Sequence, residues 1–349
     1  MLPETPADWI RYGQTQESHA TAESVANAVQ SYRRAIELLT AQPGGPMPKE
    51  LGIALMNFGN ARQKESDAVA SDEAVRAYDE AIALLDNDSV STDSSLRNSI
   101  GAAWMNRGHA LQRRGLREGT VAALESYDRA IALLETLPLN ENQFFAINLA
   151  AALLNRAQAL LALPTPEATA AHAAGTKALK LMVENARTDP TAADIALKTY
   201  HALCAALSQQ LSRSPSPALI AETGDTIDDA LALVRHWETQ GVESIRPFEI
   251  VFYRFGARFY LSHQPQFIAE FLLETLSHVA APGVIPDTGE LHSIATSTLA
   301  QVRSDVYNRS LLNPTDARLA RMREDLDEAN QQIAALFQNR ETTGSESIA

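Results

Sequence analysis

The most reactive side chain that this sequence offers is the thiol of Cys204, the only cysteine in 349 residues. A thiolate beside a base can act as a nucleophile, and His201 lies three positions earlier in the chain. The predicted helix face around the thiol is made of alanines, namely Ala202, Ala205 and Ala206. An apolar face of this kind favours a buried structural thiol over a nucleophile. The sequence therefore predicts no catalytic residue, and one cysteine gives no disulfide framework of the secreted type.

Metal and cofactor chemistry would need clustered ligands, and the nearest approach to a cluster is Asp225, Asp228 and Asp229. These carboxylates fall at the start of a predicted helix, where they interact favourably with the helix dipole. The eight histidines are scattered and lack metal-site spacing. Neither a glycine-rich phosphate loop nor a His-Glu-x-x-His motif occurs. We therefore expect no metal, no cofactor and no enzymatic activity.

The negative net charge of the chain argues against nucleic acid as a partner. The formal net charge is -14 and the sequence pI is about 5.0, so the surface repels a phosphate backbone. Basic residues cluster only briefly, at Arg33–Arg34 and at Arg113, Arg114 and Arg117, which we interpret as solvated helix faces. The N-terminus lacks a basic and an apolar targeting region, and no apolar run approaches the roughly 20 residues of a membrane span. We expect a cytoplasmic protein of bacterial type, without nucleic-acid or membrane partners.

The elements that would position any site come from an internal repeat. Copies of one segment occupy residues 28–39, 74–85, 123–134 and, more faintly, 171–182. Its tyrosine recurs as Tyr32, Tyr78 and Tyr127, at intervals of 46 and 49 residues, and Gly175 takes its place in the fourth copy. Within the segment, Ala, Tyr, Ala and Leu share one face at helical period. The pattern predicts one helix in each repeat.

A second landmark precedes each copy and has the same period. A small residue recurs at intervals of 46, 49 and 49 residues, as Gly13, Gly59, Gly108 and Ala157. A glycine inside a helix costs about 1 kcal/mol relative to alanine, so its recurrence predicts a close approach of another helix. We expect antiparallel helix pairs, with the tyrosine ring filling the space between adjacent pairs. One pair alone cannot bury such a face, whereas a stack can.

These residues resemble the tetratricopeptide repeat (TPR) family. Trp104-x2-Arg107-Gly108 and Ala123-x3-Tyr127 are the best match to its pattern. The resemblance covers residues 7–183 and implies an all-α, right-handed solenoid of antiparallel helix pairs, a TPR-like superhelix. The period of 46–49 residues makes this an elongated variant, since the standard repeat has roughly 34.

The sequence departs from the TPR pattern at the place of its leucine. That place holds Tyr12, Phe58, Arg107 and Arg156. The two arginines could extend past the packing seam with their charge in water, or point at a ligand, and we favour the first interpretation.

The resemblance also implies a binding surface, because the first helix of each TPR pair lines the concave side of the stack. By position, the inward-facing set is Ile10, Gln14, Met56, Asn60, Gln63, Met105, His109, Gln112, Leu154 and Gln158. Amides can bond a peptide backbone through donor and acceptor, and methionines adapt to varied apolar surfaces. The alternative that Met56, Met105 and Leu154 are core residues stays open. The lysines of a carboxylate clamp are absent from this set, which argues against recognition of an acidic chain terminus.

The predicted organisation has three parts. Residues 1–183 form four TPR-like helix pairs, residues 184–340 form degenerate helical repeats that end in a capping helix, and residues 341–349 form a disordered tail. The last helix has apolar residues at coiled-coil spacing, namely Leu319, Met322, Leu326, Ala329, Ile333 and Leu336. We interpret this seam as capping the stack, and a homodimer through it is the alternative.

The function expected from these features is that of a non-catalytic scaffold. It would bind a protein or peptide on its concave surface as an adaptor, co-chaperone or regulatory sensor. One alternative is a structural subunit that self-assembles, or joins a fixed complex, through its convex face and last helix. A third is an enzyme with a site in residues 190–340.

Overall fold

The computed structural model describes residues 3–19, 21–42, 45, 47–65, 67–86, 93–113, 117–280 and 289–346. Every regular element in these ranges is an α-helix or a short 3-10 helix, which confirms the predicted all-α fold. The chain divides into two compact units, Met1–Asn185 and Ala186–Ala349.

Unit 1 contains eight helices over its described residues. They are α1 (Pro6–Glu17), α2 (Ala22–Thr40), α3 (Pro48–Gln63), α4 (Ala68–Leu85), α5 (Ser94–Gln112), α6 (Arg117–Leu134), α7 (Gln143–Leu161) and α8 (Ala168–Met182).

Side chains at the helix N-termini explain where several helices begin. Thr5 and Asp8 form a capping box at α1, and Thr21 caps α2 in the same way through Ser24. Asp93 accepts hydrogen bonds from the first amides of α5. These caps satisfy amides that have no partner inside the helix, so they fix the register of the helices that carry the repeat.

The helices of unit 1 form a stack of antiparallel pairs. Each first helix (α1, α3, α5, α7) packs on the second helix that follows it, and each second helix (α2, α4, α6) packs on the next first helix. Successive first helices also contact each other, whereas successive second helices lie farther apart over the described residues. Unit 1 is therefore an α-solenoid that curves with its first helices on the inside.

The recurring glycine and tyrosine lie against each other inside each of these pairs. A Cβ added at Gly59 would lie 2.8 Å from the ring of Tyr78, and one at Gly108 would lie 2.6 Å from the ring of Tyr127. Both rings are fully buried. We expected the ring between adjacent pairs, but it packs chiefly on the glycine of its own pair because only a glycine leaves room there. Tyr78 also joins Ala103 and the other core residues of the next pair.

A second glycine makes a close approach two turns earlier on the first helix. A Cβ at Gly52 would lie 2.6 Å from Leu85, and one at Gly101 would lie 2.7 Å from Leu134. Both leucines are fully buried at the ends of α4 and α6. The two contacts together keep the antiparallel helices of the pair close to each other over two helical turns.

The arginines in the leucine place connect neighbouring pairs. Arg107 Nε lies 2.6 Å from Asp79 Oδ1, and Arg156 Nε lies 2.6 Å from Asp128 Oδ1. Each aspartate directly follows the tyrosine of the preceding pair. The side chains therefore neither extend freely into water nor point at a ligand, because a carboxylate on the preceding second helix holds them.

The first junction uses different chemistry at the same place. Phe58 replaces the arginine there, and Arg33 replaces the aspartate, so the Arg33 guanidinium lies 5.7 Å from the centre of the Phe58 ring. A cation–π contact substitutes for an ion pair. The equivalence of the three contacts supports a common packing geometry at the junctions.

Helix α7 is the one described helix that is long and apolar enough to cross a membrane by length and composition. More than half of its apolar stretch is buried, and Phe145, Leu149 and Leu153 are nearly inaccessible. The helix packs on α6 and α8, so its apolar character is that of a core helix of the stack.

Unit 2 contains six α-helices over its described residues, with short 3-10 helices at Glu243–Ile245 and Pro265–Phe267. The α-helices are α9 (Pro190–Arg213), α10 (Pro217–Thr239), α11 (Arg246–His263), α12 (Ile268–Ala280), α13 (Gly289–Leu312) and α14 (Ala317–Glu346). The pair α11 and α12 repeats the glycine–aromatic contact, because Gly256 lies directly against the ring of Phe271.

Two boundaries in unit 2 correct the sequence-based expectation. Helix α10 begins at Pro217, after the cap Ser216, so Asp225, Asp228 and Asp229 lie inside the helix and not at its start. A serine cap before a proline is the stronger start signal. Helix α14 continues to Glu346, past the predicted start of a tail at residue 341, since no proline interrupts it. Residues 347–349 lie outside the described residues.

The apolar seam of α14 faces the interior of unit 2. Met322, Leu326 and Ala329 are 9%, 1% and 3% exposed, and α14 packs on α12 and α13. The side chains of Ile333 and Leu336 lie outside the described part of the helix. At these three positions the seam is buried within unit 2, whereas Leu319 at its start is half-buried.

Candidate functional site

Helices α1, α3, α5 and α7 carry the predicted binding residues, and we call the solvent side of these four helices the inner face of unit 1. Gln14, His109 and Gln158 are exposed. Ile10, Met56, Asn60, Gln63, Met105 and Gln112 are half-buried. Leu154 is only 4% exposed and offers no surface to a partner, because its side chain lies in the core.

The apolar members of the predicted set pack on the core from its inner side. Met56 and Met105 contact the cluster that contains Tyr78 and Tyr127, and Ile10 contacts the clusters around α2. They retain partial exposure, so they form the floor of the inner face while also closing the core.

A hydrogen-bond network joins α3 to α5 across the inner face, with Gln63 at its centre. Gln63 Nε2 donates to Tyr78 OH at 2.7 Å and to the carbonyl oxygen of Asn106 at 2.8 Å. Gln63 Oε1 lies 2.8 Å from His109 Nδ1. Tyr78 OH and Asn106 Nδ2 both donate to Asn60 Oδ1, at 2.7 and 2.9 Å. Five side chains are thus fixed relative to one another.

The network itself determines the orientation of each group. A backbone carbonyl only accepts, so the Gln63 atom bonded to Asn106 must be its nitrogen, and the Gln63 oxygen then faces His109. His109 Nδ1 must therefore carry the proton. Since the Tyr78 hydroxyl accepts a hydrogen bond from Gln63, it donates its own proton to Asn60, and the accepting atom of Asn60 must be Oδ1.

The same logic identifies the groups that stay outside the network. They are Asn60 Nδ2, which is a donor, and Asn106 Oδ1 and His109 Nε2, which are acceptors when the imidazole is neutral. Although the residue is partly exposed, desolvation of its ring and, after it, the charge of Arg113 lower the pKa of His109 below its ordinary value, which favours the neutral form. The inner face therefore presents both donors and acceptors in fixed orientation.

Each repeat tyrosine forms a hydrogen bond through its hydroxyl with a residue near the end of the first helix of its pair. That residue lies fifteen positions before the tyrosine and four positions after the recurring glycine. These bonds join Tyr32 to Glu17 at 2.6 Å, Tyr78 to Gln63 at 2.7 Å and Tyr127 to Gln112 at 3.0 Å. Gln63 and Gln112, which the sequence analysis assigned to a partner, thus anchor the core tyrosines. The repeated spacing was visible in the sequence, but its meaning required the packing of the pair.

A further recurring residue escaped the sequence analysis. An asparagine lies two positions before the small residue in three first helices, as Asn57, Asn106 and Asn155. Asn106 bonds Asn60 of the previous pair, whereas Asn57 Nδ2 is buried without a hydrogen-bond partner among the described residues. Of this series, Asn106 is the member whose side chain is shown to join two successive first helices.

Charged side chains at the C-terminal ends of α1, α3 and α5 contact one another's pairs. The Arg113 guanidinium donates to the backbone carbonyls of Gln63 and Glu65, and Lys64 Nζ lies 3.0 Å from Glu17 Oε1. These contacts tie successive pairs together. Arg114, the next residue of the predicted basic cluster, lies outside the described residues.

The remaining candidates for chemistry are structural. Cys204 is fully buried, and burial raises the pKa of its thiol to about 12, so the thiolate is not available at neutral pH. His201 stacks edge-on with Phe255, with ring centres 5.7 Å apart. Within the described residues, no group of three or more His, Cys, Asp or Glu side chains is placed to hold a metal ion.

Comparison with known proteins adds little to this description. No protein family matches the chain, and no curated protein matches it significantly. A solved "Circular tandem repeat protein with novel repeat topology and enhanced subunit contact surfaces" is 12% identical, with a TM-score of 0.29 over 97% of this chain and 91% of that one. A score this low does not establish a shared fold, so the helical-repeat architecture follows from the helix pairs described above.

Proposed function

We propose that the chain is a non-catalytic, TPR-like scaffold in the cytoplasm, and that the inner face of unit 1 binds an extended peptide segment of a partner protein. An adaptor, co-chaperone or regulatory sensor would use such a surface. Neither a cofactor nor a metal is part of the proposal.

The proposal rests on three polar atoms of the network between α3 and α5 that make no hydrogen bond among the described residues. Asn60 Nδ2 can donate to a peptide carbonyl, while Asn106 Oδ1 and His109 Nε2 can accept from peptide amides. Because the network already holds these side chains, a ligand does not have to order them, and less entropy is lost on binding. Preorganised amides support binding better than freely rotating ones.

The same groups favour an extended peptide over a helical one. A helix satisfies its own backbone amides and carbonyls, so it offers few of them to a binding surface. An extended segment leaves both unpaired. The half-buried Met56 and Met105 supply adaptable apolar contacts for its side chains.

Panning a random peptide library against the full-length protein tests this proposal. Selected peptides are then titrated against a triple variant of the inner face, Gln14→Ala/His109→Ala/Gln158→Ala. These three exposed residues each directly follow the small residue of their helix. We expect affinity to fall at least about tenfold, because the variant removes the exposed side chains of the predicted binding set.

A matched variant on the second helices provides the control. Gln30→Ala/Arg76→Ala/Glu125→Ala changes three exposed residues that each lie two positions before a repeat tyrosine. This variant should bind the selected peptides as the wild type does. Equal binding by both triple variants would reject the inner face as the binding surface.

A further inference from the structure

Unit 2 contains a groove that the proposed function does not use. It is a cavity of about 1030 Å³ between α12, with the 3-10 helix before it, and α14. We call it the α12–α14 groove. It lies wholly within one compact unit, so its shape depends only on the packing of that unit.

The floor of the groove is apolar and partly open to solvent. Phe267 is 45% exposed, Leu273 and Leu319 are half-buried, and Met322 closes the bottom at 9% exposure. An exposed phenylalanine beside half-buried leucines lacks the burial that core residues of this unit such as Phe252 and Leu272 have. A bound apolar side chain would restore it.

The rim of the groove is predominantly acidic. Its carboxylates are Glu270, Asp316, Asp325 and Glu328, against two guanidinium groups, Arg318 and Arg321. A neighbouring pocket of about 500 Å³ shares Phe267 and Glu270 with the groove and adds Asp228 and Glu274. Arg235 forms an ion pair with Glu274 at 2.7 Å. The remaining carboxylates that line the two pockets outnumber the remaining guanidinium groups. A cationic partner complements such a rim.

The dimensions of the groove select the form of the partner. Its lining residues on α14 extend from Arg318 to Gln332, which at 1.5 Å per residue is about 21 Å, or roughly four helical turns. A helix between two helices can fill this length with one apolar stripe while its polar side faces the rim.

We propose that the α12–α14 groove is a docking site for a basic amphipathic helix of a partner protein. Apolar residues of that helix lie on Phe267, Leu273 and Leu319, and its lysines or arginines pair with Glu270 and Glu328. This surface is separate from the inner face of unit 1, so neither proposal depends on the other.

A designed peptide of roughly 18 residues, long enough to form a helix, tests the proposal. It carries leucines at helical spacing and lysines elsewhere, and a second peptide has the same composition with the leucines scattered. We expect the full-length protein to bind the amphipathic peptide at least about tenfold more tightly than the scattered one, since only the first presents an apolar stripe.

Two variants locate the site. Glu270→Lys/Glu328→Lys reverses two exposed rim charges, and Phe267→Ala removes the exposed aromatic ring. Each should weaken binding of the amphipathic peptide at least about tenfold. The control Glu80→Lys/Glu125→Lys makes the same change in net charge at exposed positions of α4 and α6, and it should have a much smaller effect. Circular dichroism checks that all variants keep their helix content.

Three results would overturn the proposal. The groove variants could bind as tightly as the control variant, or the scattered peptide could bind as well as the amphipathic one. The wild type could also self-associate in sedimentation velocity in a manner that Phe267→Ala abolishes, in which case a second copy of this chain occupies the groove.

Discussion

Replacing Tyr78 with alanine is expected to lower the free energy of unfolding by about 3–5 kcal/mol. The ring is fully buried against Gly59, so its removal leaves a cavity that a glycine cannot fill. Its hydroxyl also bonds Gln63 and Asn60, whose amides then lose a partner. Urea unfolding followed by circular dichroism measures the loss.

Two variants separate the contributions to this loss. Tyr78→Phe keeps the ring and removes only the hydroxyl, so about 1–2 kcal/mol should be lost. Tyr12→Ala removes a tyrosine that is 42% exposed on α1, and the change should stay within about 0.5 kcal/mol. If Tyr12→Ala cost as much as Tyr78→Ala, the glycine–tyrosine contact would not be the main stabilising feature of the pair.

Gly108→Ala is expected to destabilise the protein, although alanine is the better helix former. A Cβ at this position would lie 2.6 Å from the Tyr127 ring, which is fully buried and bonded to Gln112. Such overpacking costs about 1–3 kcal/mol, which exceeds the gain of about 1 kcal/mol in helix propensity. The midpoint of thermal or urea unfolding should fall.

Gly224 of α10 is the matched control, because it is a buried glycine inside a helix that has room. The nearest atom to a Cβ there belongs to Phe259, at an ordinary contact distance of 3.6 Å. Gly224→Ala should therefore raise stability by about 0.5–1 kcal/mol. If the two substitutions had the same sign, the close approach at Gly108 would not be the reason for its recurrence.

The sequence was sufficient to predict the helix pairs because their signals are local. Tyr78 and Gly59 each recur at a fixed interval, and both lie on faces that a 3.6-residue period defines. The structure places them in contact, as a close helix approach requires. The second glycine contact, at Gly52 and Gly101, was missed because glycine is tolerated in helices for several reasons and the opposing leucines are ordinary core residues.

The roles of the polar residues could not be predicted, because they depend on distant partners. Gln63 bonds His109, which lies 46 residues later, and the bond depends on side-chain orientation that spacing does not reveal. Likewise, Arg107 finds its carboxylate on the preceding second helix. Sequence position alone assigned these residues to ligands or to solvent, whereas packing gives them structural partners.

This structural use of polar residues changes the expected binding surface without removing it. The side chains of Gln63 and Gln112 form hydrogen bonds with the core tyrosines, and Leu154 is buried. His109 is exposed, and Asn60 Nδ2 makes no hydrogen bond within the network that holds both side chains in place. The candidate site is therefore narrower than the sequence indicated, and more rigid.

The most direct test of the central claim is the side-chain nitrogen NMR spectrum of the full-length protein during titration with a library-selected peptide. The account predicts that the Asn60 side-chain amide and His109 Nε2 shift as the peptide binds, while the Gln63 amide stays nearly constant because its hydrogen bonds are internal. Shifts confined to the second helices or to unit 2, with Asn60 and His109 unchanged, would contradict peptide binding on the inner face.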